Sequence, residues 1–144
     1  PDPKPLPIGR GEILRGGGDV ALIGIGKTVN TARAAAELLE ERGISAAVVD
    51  ARFVKPLDGE LLGQIAEHCR RIVTVEDHTV QGGFGSAVLE LLSTRQVGVA
   101  VRRLGVADGF VTHGEMSDQW RAVGIDADSI ARCAAGLVAG GRRS

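Results

Sequence analysis

The strongest constraint on this chain is that its apolar residues alternate between two periods. Asp19 to Gly26 (DVALIGIG) is a nearly continuous apolar run, the pattern of a strand covered on both faces. Val29, Ala32, Ala36 and Leu39 then recur at helical spacing, and Gly43 falls where a residue just past a helix C-terminus belongs. Ser45 to Ala51 is a second apolar strand. Pro56 breaks the chain, Asp58 is placed to cap a helix, and Leu61, Leu62, Ile65 and Cys69 form one helical face. Arg71 to Glu76 is a third strand, and Gly82-Gly83-Phe84-Gly85 opens a helix carrying Val88, Leu89 and Leu92. Val97 to Leu104 is a fourth strand, and helices are predicted over Gly114 to Val123 and Asp126 to Val138.

Strands and helices joined this closely require right-handed crossovers and a largely parallel sheet between helical layers. Ahead of these units, Glu12 to Arg15 (EILR) leads through Gly16-Gly17-Gly18 into the Asp19 strand. So short a joint predicts a hairpin, with this strand antiparallel. The expected fold is α/β: a three-layer α/β/α sandwich on a five-stranded mixed sheet, the first strand antiparallel to the other four. Prolines at 1, 3, 5 and 7 predict an extended linker over residues 1–9. The domain should occupy 10–138, and 139–144 should fray. The chain starts at Pro1 and its only methionine is Met116, so a piece of a longer polypeptide is expected.

Charge and composition narrow the function. Seventeen basic and eighteen acidic side chains leave a net charge of -1, and there is no Tyr, one Trp and three Phe. Neither a phosphate-attracting field nor stacking platforms for single-stranded bases are offered, so no nucleic-acid partner is expected. Apolar runs such as Val20–Ile23 fall far short of the roughly 20 residues that span a bilayer, so no membrane partner is expected. Two cysteines, Cys69 and Cys133, fit a reducing, cytoplasmic setting better than a disulfide scaffold.

Several segments carry chemical residue types. Gly26-Lys27-Thr28 follows a strand as a phosphate loop does, but Ala21 stands where that loop needs its first glycine. The dinucleotide fingerprint fails as well, because its third glycine would fall on Val29. A glycine-eased strand-to-helix turn remains. Glu76-Asp77-His78 ends the third strand, where ligands collect in open α/β sheets, yet neighbours on a strand face opposite ways. His113 and Ser86 have no spacing that demands a metal or a triad. Gly82 to Gly85 lets backbone approach something closely: the sheet, a neighbouring domain, or an anion at the helix N-terminus. Arg70-Arg71 and Arg102-Arg103 read as solvated or ion-paired couples rather than a patch. Cys69 reads as a buried inert thiol and Trp120 as a core or interface anchor. Geometry directs any small ligand to the crevice between the Gly26-Lys27-Thr28 turn and the Asp77 to Phe84 loop.

Five blocks carry a family resemblance. They are Leu6-Pro7-Ile8-Gly9-Arg10-Gly11, Asp50-Ala51-Arg52-Phe53-Val54-Lys55-Pro56-Leu57-Asp58, Val73-Thr74-Val75-Glu76-Asp77-His78 running into Gly82 to Val88, Arg103-Leu104-Gly105-Val106-Ala107-Asp108, and Gly124-Ile125-Asp126-Ala127. In this order they resemble the C-terminal, transketolase-like domain of the 1-deoxy-D-xylulose-5-phosphate synthases. Arg52 to Asp58 favours that family over transketolases and 2-oxoacid dehydrogenase β subunits, which share the domain. The resemblance implies a three-layer fold inside a larger transferase that joins pyruvate to glyceraldehyde 3-phosphate with loss of CO2. The product of that reaction feeds isoprenoid, thiamine and pyridoxal synthesis. It implies thiamine diphosphate and Mg²⁺ in the full-length enzyme, held by domains outside this chain, and no cofactor, metal or catalytic residue here. The implied partners are the other domains of the same polypeptide and a second copy in a homodimer. His78, Gly82, Gly83 and Phe84 are the loop residues expected to face the active-site side. Two alternatives stand beside this: the C-terminal domain of a 2-oxoacid dehydrogenase β subunit, and a free-standing small-ligand-binding α/β module.

Overall fold

The computed structural model describes residues 8–77, 83–95, 98–105 and 125–142. Five strands, β1 (Glu12–Arg15), β2 (Val20–Gly24), β3 (Ala46–Asp50), β4 (Arg71–Val75) and β5 (Ala100–Leu104), form one sheet in the order β1-β3-β2-β4-β5. β2 to β5 are parallel and β1 is antiparallel, as the two periods predict. Helices α1 (Thr28–Glu41), α2 (Gly59–Cys69), α3 (Phe84–Thr94) and α4 (Ala127–Arg142) cover the two faces.

Alternation along the central strand sorts the core into two layers. Val20 and Leu22 of β2 pack with Ala32, Ala36 and Leu39 of α1 and with Ile130 and Ala134 of α4. Ala21 and Ile23 pack on the opposite side with Leu62 and Ile65 of α2 and Phe84 and Val88 of α3. All five residues of β2 are buried, which is why it reads as an unbroken apolar run. Each fully buried Leu, Ile or Phe contributes about 1.5–3 kcal/mol.

The helix ends follow their sequence signals. Gly43, at φ +76°, donates to the Glu40 carbonyl and Ile44 to that of Leu39, both at 2.9 Å, closing α1 in a Schellman motif. Asp58 caps α2: its Oδ1 accepts from the Leu61 amide at 3.1 Å. Its Oδ2 accepts from the Gly11 amide at 2.9 Å, so the cap also anchors the entry to β1. α2 itself ends on Arg70 at φ +62°, a left-handed position where glycine is usual and a side chain costs about 1 kcal/mol.

Two expectations are corrected. The Gly16–Gly18 joint does not close a hairpin: β1 pairs with β3, with Glu12 opposite Asp50 and Ile13 opposite Val49. The joint crosses the start of β3 instead, and Gly17 lies so close that a Cβ there would overlap the Ala46 carbonyl group and reach within 2.6 Å of the Ala47 nitrogen. Ion pairs of Glu12 with Arg52 and of Arg15 with Glu40 then hold the edge strand. The last helix also runs to Arg142, past Val138 and through Gly140 and Gly141, where fraying was expected. Val138 is buried and the Arg71 guanidinium lies against Gly141, so that final turn has something to pack on. The 1–7 part of the linker and the helix predicted over 114–123 lie outside the described residues.

Candidate functional site

β2 and β4 are neighbours, with Gly24 opposite Val75. The helices that follow them, α1 and α3, pack on opposite faces. This divergence is the place where a ligand crevice was expected; residues 78–82 of its second wall lie outside the described residues.

One wall is the Gly26-Lys27-Thr28 turn. Thr28 is fully buried, and its Oγ1 accepts from the Ile25 amide at 3.0 Å. The single hydroxyl proton goes to the Val75 carbonyl at 2.8 Å or the Ile25 carbonyl at 2.9 Å. With its hydrogen-bonding capacity taken up by backbone, Thr28 fastens the turn to the end of β4 and has no free group for a phosphate or metal. Gly26, at φ +63°, and Lys27 are exposed.

The other wall begins at the end of β4. Thr74, 1% exposed, lies under the first turn of α3; a Cβ at Gly85 would come within 2.8 Å of its Oγ1. Gly85 therefore serves close packing on the sheet, one of the uses expected of that glycine run. Thr74 and Glu76 share a strand face, and the side chain of Glu76 lies against Gly105. Asp77 is buried, and among the described residues no group of three His, Cys, Asp or Glu side chains could share a metal ion. Gly83 is exposed at φ +102° and precedes α3, while the Phe84 ring is fully buried in the core. Ser86 is exposed and accepts a 2.7 Å hydrogen bond from Arg103 Nη1. His78, Gly82, His113 and Trp120 lie outside the described residues.

At the opposite end of the sheet, one feature escaped the sequence reading. Arg70, Arg71 and Arg102 come together on a cleft of about 680 Å³ rather than standing as separate couples. Parallel pairing of Arg71 with Ala100 brings them together, while strand alternation sends Arg103 to the α3 face. The sequence signal was Arg70 itself, a long cationic side chain where a helix end favours glycine.

Cys69 borders this cleft but is 2% exposed, with Sγ 3.4 Å from the Gly17 carbonyl. Burial, and secondarily the Asp19 carboxylate, pushes its thiol pKa up. Burial also raises Cys133, with Arg102 opposing. Cys69 is expected to react with a disulfide reagent at neutral pH at least about tenfold more slowly than Cys133. The folded state holds the Cys69 proton more tightly than the unfolded chain. That contribution to stability is intact below about pH 8.5 and is lost as pH rises through the folded value. Labelling kinetics and alkaline urea titrations measure both effects.

Comparison with known proteins places this architecture. Residues 9–130 match the family model for the transketolase C-terminal domain. A 1-deoxy-D-xylulose-5-phosphate synthase of Heliobacterium modesticaldum is 54% identical over 129 residues, covering 90% of this chain and 20% of the relative. The Thermomicrobium roseum protein of that name is 52% identical over 130 residues, covering 90% and 21%. The chain thus spans about a fifth of the length of these curated relatives. Among solved structures, a split-gene transketolase described as an inactive β4 tetramer superposes with a TM-score of 0.81 at 36% identity, covering 93% of this chain and 43% of that one. A Pichia stipitis transketolase in complex with sedoheptulose 7-phosphate gives a TM-score of 0.62 at 22% identity over 93% of this chain and 18% of its own, a likeness of fold alone.

Proposed function

This chain belongs to the transketolase C-terminal domain family, and we propose that it works as the C-terminal domain of a 1-deoxy-D-xylulose-5-phosphate synthase, supporting an active site that other domains build. The observation that carries this reading is identity above 50% across nine-tenths of the chain to synthases of which it covers about a fifth. In that role the enzyme is a cytoplasmic transferase joining pyruvate to glyceraldehyde 3-phosphate with release of CO2, at the head of isoprenoid, thiamine and pyridoxal synthesis. Thiamine diphosphate with Mg²⁺ supplies the decarboxylating carbanion chemistry in the full-length protein.

The residues described here do not fit that cofactor. The crevice offers Thr28, whose hydroxyl is taken by backbone, and no cluster of acidic side chains that could share a divalent ion. No catalytic step is therefore assigned to this chain. Its work is packing against the rest of the polypeptide and helping to hold a homodimer. The β4 tetramer of the split-gene relative is in keeping with a domain of this family that associates through neighbouring surfaces. Gly83, exposed ahead of α3, together with His78 and Gly82, is proposed to face the active-site side. Phe84 itself is fully buried and gives that side no exposed ring.

A domain exchange tests this. The chain alone is expected to form no 1-deoxy-D-xylulose 5-phosphate from pyruvate and glyceraldehyde 3-phosphate with thiamine diphosphate and Mg²⁺ present. Residues 9–138 grafted in place of the C-terminal domain of the Heliobacterium relative should retain at least about a tenth of its turnover, a barrier change under about 1.4 kcal/mol. A folded, soluble chimera without activity, or turnover by the chain alone, contradicts the proposal.

A further inference from the structure

We propose that the arginine-lined cleft at the N-terminal ends of β4 and β5 is a binding site for a small molecule carrying a diphosphate or two phosphate groups. Arg70, Arg71 and Arg102 contribute three guanidinium groups, and no acidic side chain lines the cleft among the described residues. Among the described residues, ion pairs join Arg10 to Glu60, Arg15 to Glu40 and Arg52 to Glu12, and none of these involves the three cleft arginines. Arg71 directs Nη1 to the Asp19 carbonyl, at 3.2 Å, and its guanidinium lies beside Gly141. Three like charges on one cleft with no acidic side chain among its described lining residues are relieved when an anion binds, and guanidinium forks match phosphate oxygens in geometry.

Both walls carry features that internal packing does not require. Arg70 occupies the left-handed helix-end position at which glycine would be unstrained. On the facing wall, Gly136 and Gly140 lie one turn apart within α4, where alanine would favour the helix, yet a Cβ at either would meet nothing within 4 Å. Gly98 is equally unobstructed. Gly98, Gly136 and Gly140, which no described part of the chain needs, leave bare backbone facing the cations, as close approach by a ligand requires. The ends of α2 and α4 give one cation each a dipole partner, but they explain neither Arg102 on β5 nor the glycines. A volume near 680 Å³ lies within the range of small-molecule sites. This site is separate from the crevice at the strand C-termini and does not depend on the proposed synthase role.

Titration of the ¹⁵N-labelled 144-residue chain with inorganic pyrophosphate, followed by amide shifts, tests the assignment. Shifts of the Arg70, Arg71, Gly98 and Gly140 amides are expected, saturating with a Kd below about 1 mM. Arg70→Gly should weaken binding at least about tenfold while raising Tm by about 3 °C, since it removes a strained residue. Loss of binding in that variant therefore cannot come from unfolding. Gly140→Ala should likewise weaken binding without lowering Tm, and Arg132→Ala, outside the cleft, should leave Kd unchanged. Shifts centred on Gly83 to Ser86, the same response to sodium chloride of equal ionic strength, or an unaltered Kd in Arg70→Gly would each overturn the proposal.

Discussion

Asp58→Ala is expected to lower the unfolding free energy by about 3 kcal/mol, read as a shift of the urea midpoint with little change in slope. The size follows from two amides losing one acceptor group. Leu61 N–H loses its helix cap and Gly11 N–H its anchor, at a side chain only 8% exposed. Asp58→Asn, which keeps one carbonyl acceptor, should cost about 1 kcal/mol. A loss below about 1 kcal/mol for the alanine variant would mean that water serves both amides as well as the carboxylate does.

Gly17→Val should cost at least about 3 kcal/mol, because the new side chain has only backbone to displace. β1 should detach from β3 first, exposing the Val48 amide, which faces β1, to hydrogen exchange before that of Val49, which faces β2. Gly16→Ala supplies the internal comparison: nothing lies within 4 Å of its Cβ, so a change within about 0.5 kcal/mol is expected. Equal effects at 16 and 17 would show that joint flexibility, not close approach, is what the glycines provide.

These two positions mark how far sequence reasoning reaches. Asp58 was legible because an N-cap is a local device: an acceptor just before an apolar helical period, shortly after a proline. β2, β3 and β4 were legible because burial on both faces removes their polar residues. The partner of β1 was not legible. Two strands joined by three glycines can form a hairpin or straddle a third strand, and the choice lies in Gly17 meeting Ala46, a contact between segments distant in sequence. The bland readings of Gly26-Lys27-Thr28 and of Gly85 followed from failed motif spacing, and Thr28 and Thr74 supply their physical basis. The arginine cleft was missed for the same reason as β1. Register alone brings residue 71 beside residue 100, and no local pattern records register.

The Thr28 hydroxyl, bonded across to the Val75 carbonyl, has one more implication. It acts as a rivet that ties the turn after β2 to the end of β4, beyond the last paired residues Gly24 and Val75. A polypeptide that settles against this turn meets backbone already fixed in place, and little ordering entropy is forfeited there on contact. Such a surface suits a permanent seat in a larger assembly better than a moving gate.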